Sequence, residues 1–210
     1  MIRKNLLPSK GDETRALILD VAVQHAAVAG FDALTIGTLA AQTSLSKSGL
    51  FAHFGSKEEL QIATLDEAVR RFTEAAVLPS LKVPRGEKRI TVLFENWLKW
   101  TENCGLKACP MMSASNEFDD KPGTMRDAIA HQMQRLDAEI IGNIKSAIEA
   151  GDFAADTDPE QFTFDIFGII ASYYRSRNLF HDKRANQRAL QAYGRLLANV
   201  RPEKPQQART

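Results

Sequence analysis

Apolar residues recur along this chain at helical spacing, and no window alternates with a period of two. The pattern predicts an all-α protein without a sheet. From Thr14 to Ala29, strong helix formers carry Ile18, Ala22 and Ala26 at four-residue intervals, with Leu19 and Val23 beside them. Asp12 is the expected N-cap of this first helix and Gly30 its stop. Thr35 then caps a short helix from Ile36 to about Thr43, and Ser44-Leu45 breaks it. Ser46 caps a third helix, Lys47 to about His53, which Gly55-Ser56 ends. Ser56-Lys57-Glu58-Glu59 has the form of a capping box, so a long helix is expected from Lys57 to about Leu78, stopped by Pro79.

Further helices are expected at about 86–103, 108–118, 123–149, 159–181 and 184–199. The longest carries Met125, Ile129, Met133, Leu136, Ile140, Ile144 and Ile148 as one three-four stripe. Asp158-Pro159-Glu160-Gln161 combines an N-cap, a proline at the first helical position and a capping-box glutamine. The adjacent Asp119 and Asp120 read as helix caps ahead of Pro122. The first dozen residues are polar, with Pro8 and Gly11, and predict a mobile arm; the stretch after Arg201 predicts a disordered tail. The expected organisation is an arm and three-helix reader over 1–56, a helical domain over 57–201, and a tail over 202–210.

A hydrophobic fraction of 44% and a charged fraction of 25% are ordinary for a soluble globular chain and suffice for a core. The net charge of +1 offers no bulk attraction to nucleic acid. A small reader needs only a local basic surface, for which Arg3, Lys4, Lys10, Lys47 and Lys57 are the candidates. Two cysteines, Cys104 and Cys109, are too few for a disulfide scaffold and lack the rest of a zinc pattern. They bracket a turn, and the reading is open between a thiol switch and an unreactive pair. His25, His53, His131 and His181 fall in no metal spacing, and no glycine-rich phosphate loop or nucleophile elbow is present. No catalysis, metal or cofactor is expected. The strongest apolar stretch, Phe162 to Tyr174, is interrupted by Asp165 and too short to cross a bilayer, and Met1 to Glu13 lacks the apolar core of a signal peptide. A cytoplasmic protein with no membrane partner is expected.

The informative stretch runs from Thr35 to Phe54. Two short helices flank a tight turn, Leu39, Leu45 and Leu50 fall where their inner faces meet, and Ala40 is small where the helices approach. This fits a helix-turn-helix whose second helix is free to enter the major groove. The spacing alone also fits a helical hairpin that never touches DNA, or an all-helical adaptor that binds only protein. Leu45-Ser46-Lys47-Ser48-Gly49-Leu50-Phe51-Ala52-His53-Phe54-Gly55-Ser56-Lys57-Glu58-Glu59-Leu60, with the lead-in Gly30-Phe31-Asp32-Ala33-Leu34-Thr35-Ile36, resembles the signature of the TetR (tetracycline-repressor) family. The match covers roughly residues 14–60. The remainder agrees with that family only in length and all-helical pattern.

The resemblance implies three reading helices, the third in the major groove. By position, it places Thr35 and Thr38 against phosphates. Ser46, Lys47, Ser48 and Gly49 fall at the groove-facing start of the third helix. His53 lies toward a phosphate, and Lys57 adds charge at the N-terminus of the fourth helix, where free amides and the dipole attract anions. Lys47 is open between reading guanine and holding a phosphate. Two positions depart from the family pattern: Ser44 stands where glycine is frequent, and Phe51 where tyrosine is, keeping the ring but losing a hydroxyl. The resemblance further implies a repressor released by a ligand; an activator, or a ligand-independent or thiol-sensing regulator, fits the same fold.

One such reader buries too little surface for specific binding, so a homodimer on a palindromic double-stranded operator is expected. Phe162, Ile166, Ile170, Tyr173 and Tyr174, with Phe164, Phe167 and Ile169, make the 159–181 helix apolar almost all round. With Leu190, Tyr193 and Leu197 of the last helix they are the expected dimer interface, a monomeric bundle being the alternative. Phe94, Trp97, Trp100, Met111, Met112, Phe118, Met125, Met133 and Phe167 are the expected lining of a pocket for a small apolar or amphipathic effector, with ordinary core as the competing reading. Asn96, Asn116, Glu117 and Gln132 are the candidate polar groups beside it.

Overall fold

The computed structural model describes residues 9–103, 106 and 109–202, and among these the secondary structure is helical throughout, with no strand. Arg3, Lys4, Pro8, Cys104, the turn after it and the tail beyond Pro202 lie outside the described residues. The elements are α1 (Lys10–Ala29), α2 (Ile36–Thr43), α3 (Lys47–Phe54), α4 (Lys57–Phe72), α5 (Leu78–Ser80), α6 (Glu87–Asn103), α7 (Pro110–Phe118), α8 (Thr124–Glu149), α9 (Pro159–Tyr174) and α10 (Ala185–Val200). They form two compact units, one of residues up to 71 with 106–131, the other of 72–105 with the segment from 132 onward.

In the first unit, α1 starts four residues before the expected point. Ser9, not Asp12, is its N-cap: Ser9 Oγ accepts from the Asp12 N–H, and the Asp12 carboxylate accepts from the Ser9 N–H. Asp12 therefore fills the third helical position, where a carboxylate satisfies the cap residue's own amide. α2 starts with the same reciprocal pair between Thr35 and Thr38, and α3 is capped by Ser46, whose Oγ accepts from the Gly49 N–H at 3.1 Å. Ile18, Ala22, Leu34, Leu39, Leu50, Phe54 and Leu60 form one buried cluster, with Ala40 and Leu45 packed against it. The two short helices α2 and α3 are too small to be stable alone, and this shared core with α1 and α4 is what fixes their angles.

The second unit is built from α6, α9, α10 and most of α8. Leu93, Phe94 and Leu98 of α6, Ile140 and Ile144 of α8, Phe162, Ile166 and Ile170 of α9, and Tyr193 of α10 are among the unit's buried side chains. Phe94 stacks on Tyr193 at 4.2 Å, and Phe153 lies against Phe162 at 5.5 Å. Two hydroxyl pairs join its helices: Thr101 donates to Tyr174 at 2.6 Å, and Thr91 pairs with Tyr193 at 3.1 Å. Burial pushes the Tyr193 phenol well above its ordinary range.

Two expectations about helix ends are corrected. Pro79 does not stop the chain at Leu78: a wider π turn, Thr73–Val77, carries the helix through Pro79 to Ser80. A π turn gives the proline ring room that a regular turn denies it. The helix after Pro159 likewise passes into a π turn, Arg175–Leu179. Asp119 is a helix cap ahead of Pro122 as expected, closing α7 at its C-terminus, and its carbonyl accepts from Arg126 Nε at 3.2 Å. Asp158 does cap α9, accepting from the Glu160 and Gln161 N–H groups, but the Gln161 side chain turns to Asp165 instead of back to the cap.

Candidate nucleic-acid interface

α3 buries Leu50 and Phe54 and turns its other face outward. Lys47, Ser48 and Phe51 are exposed, Gly49 and His53 half-buried. Phe51 is 58% exposed, an unusual position for a large ring. Ser46 Oγ serves both as the cap and as partner of Ser48 Oγ at 3.1 Å. From Thr35 to Ser56 the chain carries no carboxylate, so α2 and α3 bring no negative side chain of their own to this surface.

Ser44 takes up the left-handed conformation, with φ +58° and ψ 17°, so the turn keeps the geometry glycine favours although serine occupies it. The side-chain oxygens of Thr35 and Thr38 are engaged in capping α2, with Thr38 Oγ1 donating to the Thr35 carbonyl at 2.9 Å. Both residues therefore set the start of α2 first, and what they offer outward is backbone and methyl surface. Lys10 is exposed at the start of α1.

Lys57 is not a free charge. Its Nζ lies 2.9 Å from Asp32 Oδ1, and Lys121 Nζ lies 3.4 Å from Asp32 Oδ2. The Lys57 hydrogen bond, helped by Lys121, holds the Asp32 carboxyl below the usual carboxylate range. Asp32 belongs to the turn between α1 and α2, which is held from two further sides. Glu117 of α7 accepts from the Phe31 N–H at 2.8 Å and the Asp32 N–H at 2.7 Å. Gln61 of α4 donates to the Phe31 carbonyl at 2.6 Å. Glu117 is thus not a polar group beside an effector pocket, as expected from its neighbours in sequence, because both its oxygens are committed to this turn. Asp32, Gln61 and Lys121 escaped the sequence reading; partners up to 89 residues apart leave no local signal.

The expected dimer residues need the plainest correction. Phe162, Ile166, Ile170, Tyr173, Tyr174, Tyr193 and Leu197 are each at most 8% exposed within the single chain. They pack its own core, and Tyr173 also lines the groove between α9 and α10. Of that set only Leu190, at 42%, faces outward. The helix is apolar on two sides because two sides have different tasks: its other face, with Phe164 72% exposed, borders a groove of about 800 Å³ between α9 and α10. Gly168, Ile169, Ala192 and Leu196 line this groove, and nothing lies within 4 Å of where a Cβ on Gly168 would stand.

The expected pocket residues divide between the two units. Met111, Met112, Phe118 and Met125 belong to the first, where Lys121 lies over the Phe118 ring at 5.2 Å. Phe94, Trp97, Trp100, Met133 and Phe167 belong to the second. There Trp97 meets Phe167 edge-on at 5.4 Å, and Phe72 meets Trp97 at 5.2 Å and Trp100 at 6.3 Å. Phe72 went unnoticed in the sequence, although it closes α4 at helical spacing. The indole N–H groups of Trp97 and Trp100 are both buried and find no hydrogen-bond partner among the described residues. An unpaired buried donor costs about 1–3 kcal/mol, so this pair demands an acceptor. Cys109 is buried at the start of α7. Among the described residues, no cluster of His, Cys, Asp and Glu could hold a metal ion, and no helix is long and apolar enough to cross a membrane.

Residues 18–64 match the family described as bacterial regulatory proteins, tetR family, and residues 86–193 match the tetracyclin repressor-like C-terminal domain. No curated protein matches the chain. Among solved structures, a TetR-family transcriptional regulator from Cytophaga hutchinsonii is 18% identical over 95% of this chain and 100% of its own, with a TM-score of 0.79. A TetR transcriptional regulator from Chloroflexus aurantiacus J-10-FL is 21% identical, with 90% and 94% covered and a TM-score of 0.80. AibR, solved in complex with isovaleryl coenzyme A and operator DNA, is 18% identical, with 87% and 97% covered and a TM-score of 0.71.

Proposed function

The chain belongs to the TetR family of bacterial transcriptional regulators, and from that premise we propose that it is a repressor that grips a palindromic operator as a homodimer and lets go when a small molecule binds. The observation that carries this reading is the outward half of α3. Lys47, Ser48, Gly49 and Phe51 stand over a buried Leu50–Phe54 face, on a surface without carboxylates. Lys47 is the donor best placed to reach base edges, while Phe51 and His53 flank it toward the backbone. Thr35, Thr38 and Ser46 hold the ends of the two helices, and Lys57 reaches a phosphate when Asp32 releases it.

Pairing occurs through the α9–α10 groove and not through the core residues first expected. Phe164, Ile169, Leu190 and Leu196 bring apolar area, and Gly168 lets a second helix come close. A two-fold pair sets its recognition helices about 34–36 Å apart, one turn of duplex.

The effector sits beside the Phe72–Trp97–Trp100–Phe167 cluster and brings at least one oxygen acceptor for the two unpaired indole N–H groups, on an otherwise apolar body. AibR, a structural neighbour solved in complex with isovaleryl coenzyme A and operator DNA, supports a reading with both a small-molecule and a DNA ligand. α4 is the lever: it starts at the reader and delivers Phe72 to the aromatic cluster. Fluorescence anisotropy on duplexes from the region upstream of its own coding sequence tests the proposal. A dimer binding one of them at least 100-fold more tightly than random duplex is the expected result. A protein that stays monomeric, or that ignores every local duplex at low salt, refutes it.

A further inference from the structure

Carboxylates that accept two consecutive backbone N–H groups grip the backbone itself, independent of any side chain there. Glu117 does this to the turn that precedes α2. Its Oε2 accepts from Phe31 and its Oε1 from Asp32, at 2.8 and 2.7 Å. The approach depends on Gly30. That residue has φ +87°, and a Cβ on it would lie 2.9 Å from both Glu117 oxygens. The same turn is tied to α4, since the buried Gln61 amide donates to the Phe31 carbonyl and Lys57 bonds the Asp32 carboxylate. Phe31 itself is fully buried, which leaves the turn little freedom of its own.

Three residues after Asp32 the chain reaches Thr35, the N-cap of α2. The direction in which α2 leaves the turn sets α2 and, through the shared Leu39–Leu50 core, α3. We infer that Glu117 is a positioning residue for operator recognition, which places the α2–α3 pair by holding the Phe31–Asp32 backbone against α7. The inference rests on the reading of α2–α3 as the DNA reader. Both hydrogen bonds start from one carboxylate on one helix. A displacement of α7 by about 1 Å takes both out of range together. The turn therefore senses where α7 stands, and any ligand that favours a shifted α7 weakens the operator-competent arrangement.

The test uses full-length Glu117→Ala and Glu117→Gln, with Gly30→Ala as a second variant that crowds the carboxylate and also strains the turn backbone. Three quantities are read: the thermal midpoint, amide exchange at Phe31 and Asp32, and affinity for operator and random duplex over a salt series. Glu117→Ala is expected to keep a cooperative transition, to expose both amides to exchange, and to lose about tenfold in operator affinity. Random-duplex affinity holds within about twofold and the salt slope is unchanged, because no phosphate contact is lost. Glu117→Gln keeps one acceptor and falls between parent and alanine variant. Adding Gly30→Ala to Glu117→Ala costs less operator affinity than Gly30→Ala does alone, since the two share one interaction. A purely structural residue would lower operator and random binding together and follow the loss of the thermal midpoint. Should the alanine variant not fold, the glutamine variant decides on the same readings. A folded variant with fast Phe31 and Asp32 exchange but parental operator affinity overturns the inference. A parent that binds no duplex instead overturns the DNA-reading proposal beneath it.

Discussion

Asp32 is the point where charge is withheld from the DNA-facing side. Asp32→Asn keeps the shape of the side chain and removes the charge that holds Lys57 at 2.9 Å and Lys121 at 3.4 Å. The Asp32 and Lys57 side chains are 56% and 45% exposed, and an exposed pair of this kind contributes between about 0 and 1 kcal/mol. The fold should therefore change stability by no more than about 1 kcal/mol. DNA binding should change more. If the freed Lys57 neutralises one further phosphate, the slope of log affinity against log salt steepens by about 0.9. Between about 50 and 200 mM salt, the advantage of the variant over the parent then shrinks about 3.5-fold. Because the gain is made on the backbone, it appears equally on operator and random duplex. Anisotropy titrations at four or five salt concentrations measure it. Parallel slopes for parent and variant would show that Lys57 reaches no phosphate, and the role given to it would fall.

Other substitutions probe separate parts of the argument. Ser44→Gly relieves a left-handed serine and should stabilise the protein by about 0.5–1 kcal/mol, seen as a higher thermal midpoint; a lower one refutes the strain. Phe51→Tyr adds a hydroxyl to an exposed ring at the reading surface and should tighten duplex binding by about 0.5–1.5 kcal/mol, whereas no change would place the ring away from the backbone. Glu67 is held down to about 2, first by its bond from Arg70 and then by Arg71, against the burial that opposes ionisation. Its folded pKa lies below its ordinary value of 4.5, so its contribution is complete above that pH and is lost as the pH falls from 4.5 toward about 2. After allowance for the solvent around the arginines, this amounts to roughly 1–2 kcal/mol. Glu67→Gln should flatten the acid limb of stability measured by chemical denaturation over that range, and an unchanged limb would assign the acid sensitivity elsewhere.

Local chemistry explains why so much of this molecule was legible before its coordinates. Caps act over three residues, and apolar stripes over four. Thr35, Ser46 and Asp158 therefore marked their helix starts, and Leu39, Leu50 and Phe54 marked the buried face of the reader, from neighbours alone. The all-helical class and the family signature in residues 18–64 rest on the same short-range patterns. Ser9 displaced Asp12 because two residues of one capping box compete for the same description. Pro79 was misjudged because a π turn depends on what the widened helix packs against, which no local window contains.

Tertiary structure alone decided which apolar face of α9 turns inward. Large apolar side chains stand on both faces, Phe164 and Ile169 on one and Phe162, Ile166 and Ile170 on the other, and periodicity has no sign: it separates two sides without saying which one the chain keeps for itself. The same holds for charge. Lys57 is a free cation in the sequence and the partner of Asp32 in the fold, while Glu117 finds its two amides 86 and 85 residues away. Contacts of that span are set by the packing of whole helices, whose energy is spread over many small terms, so no residue announces them in advance.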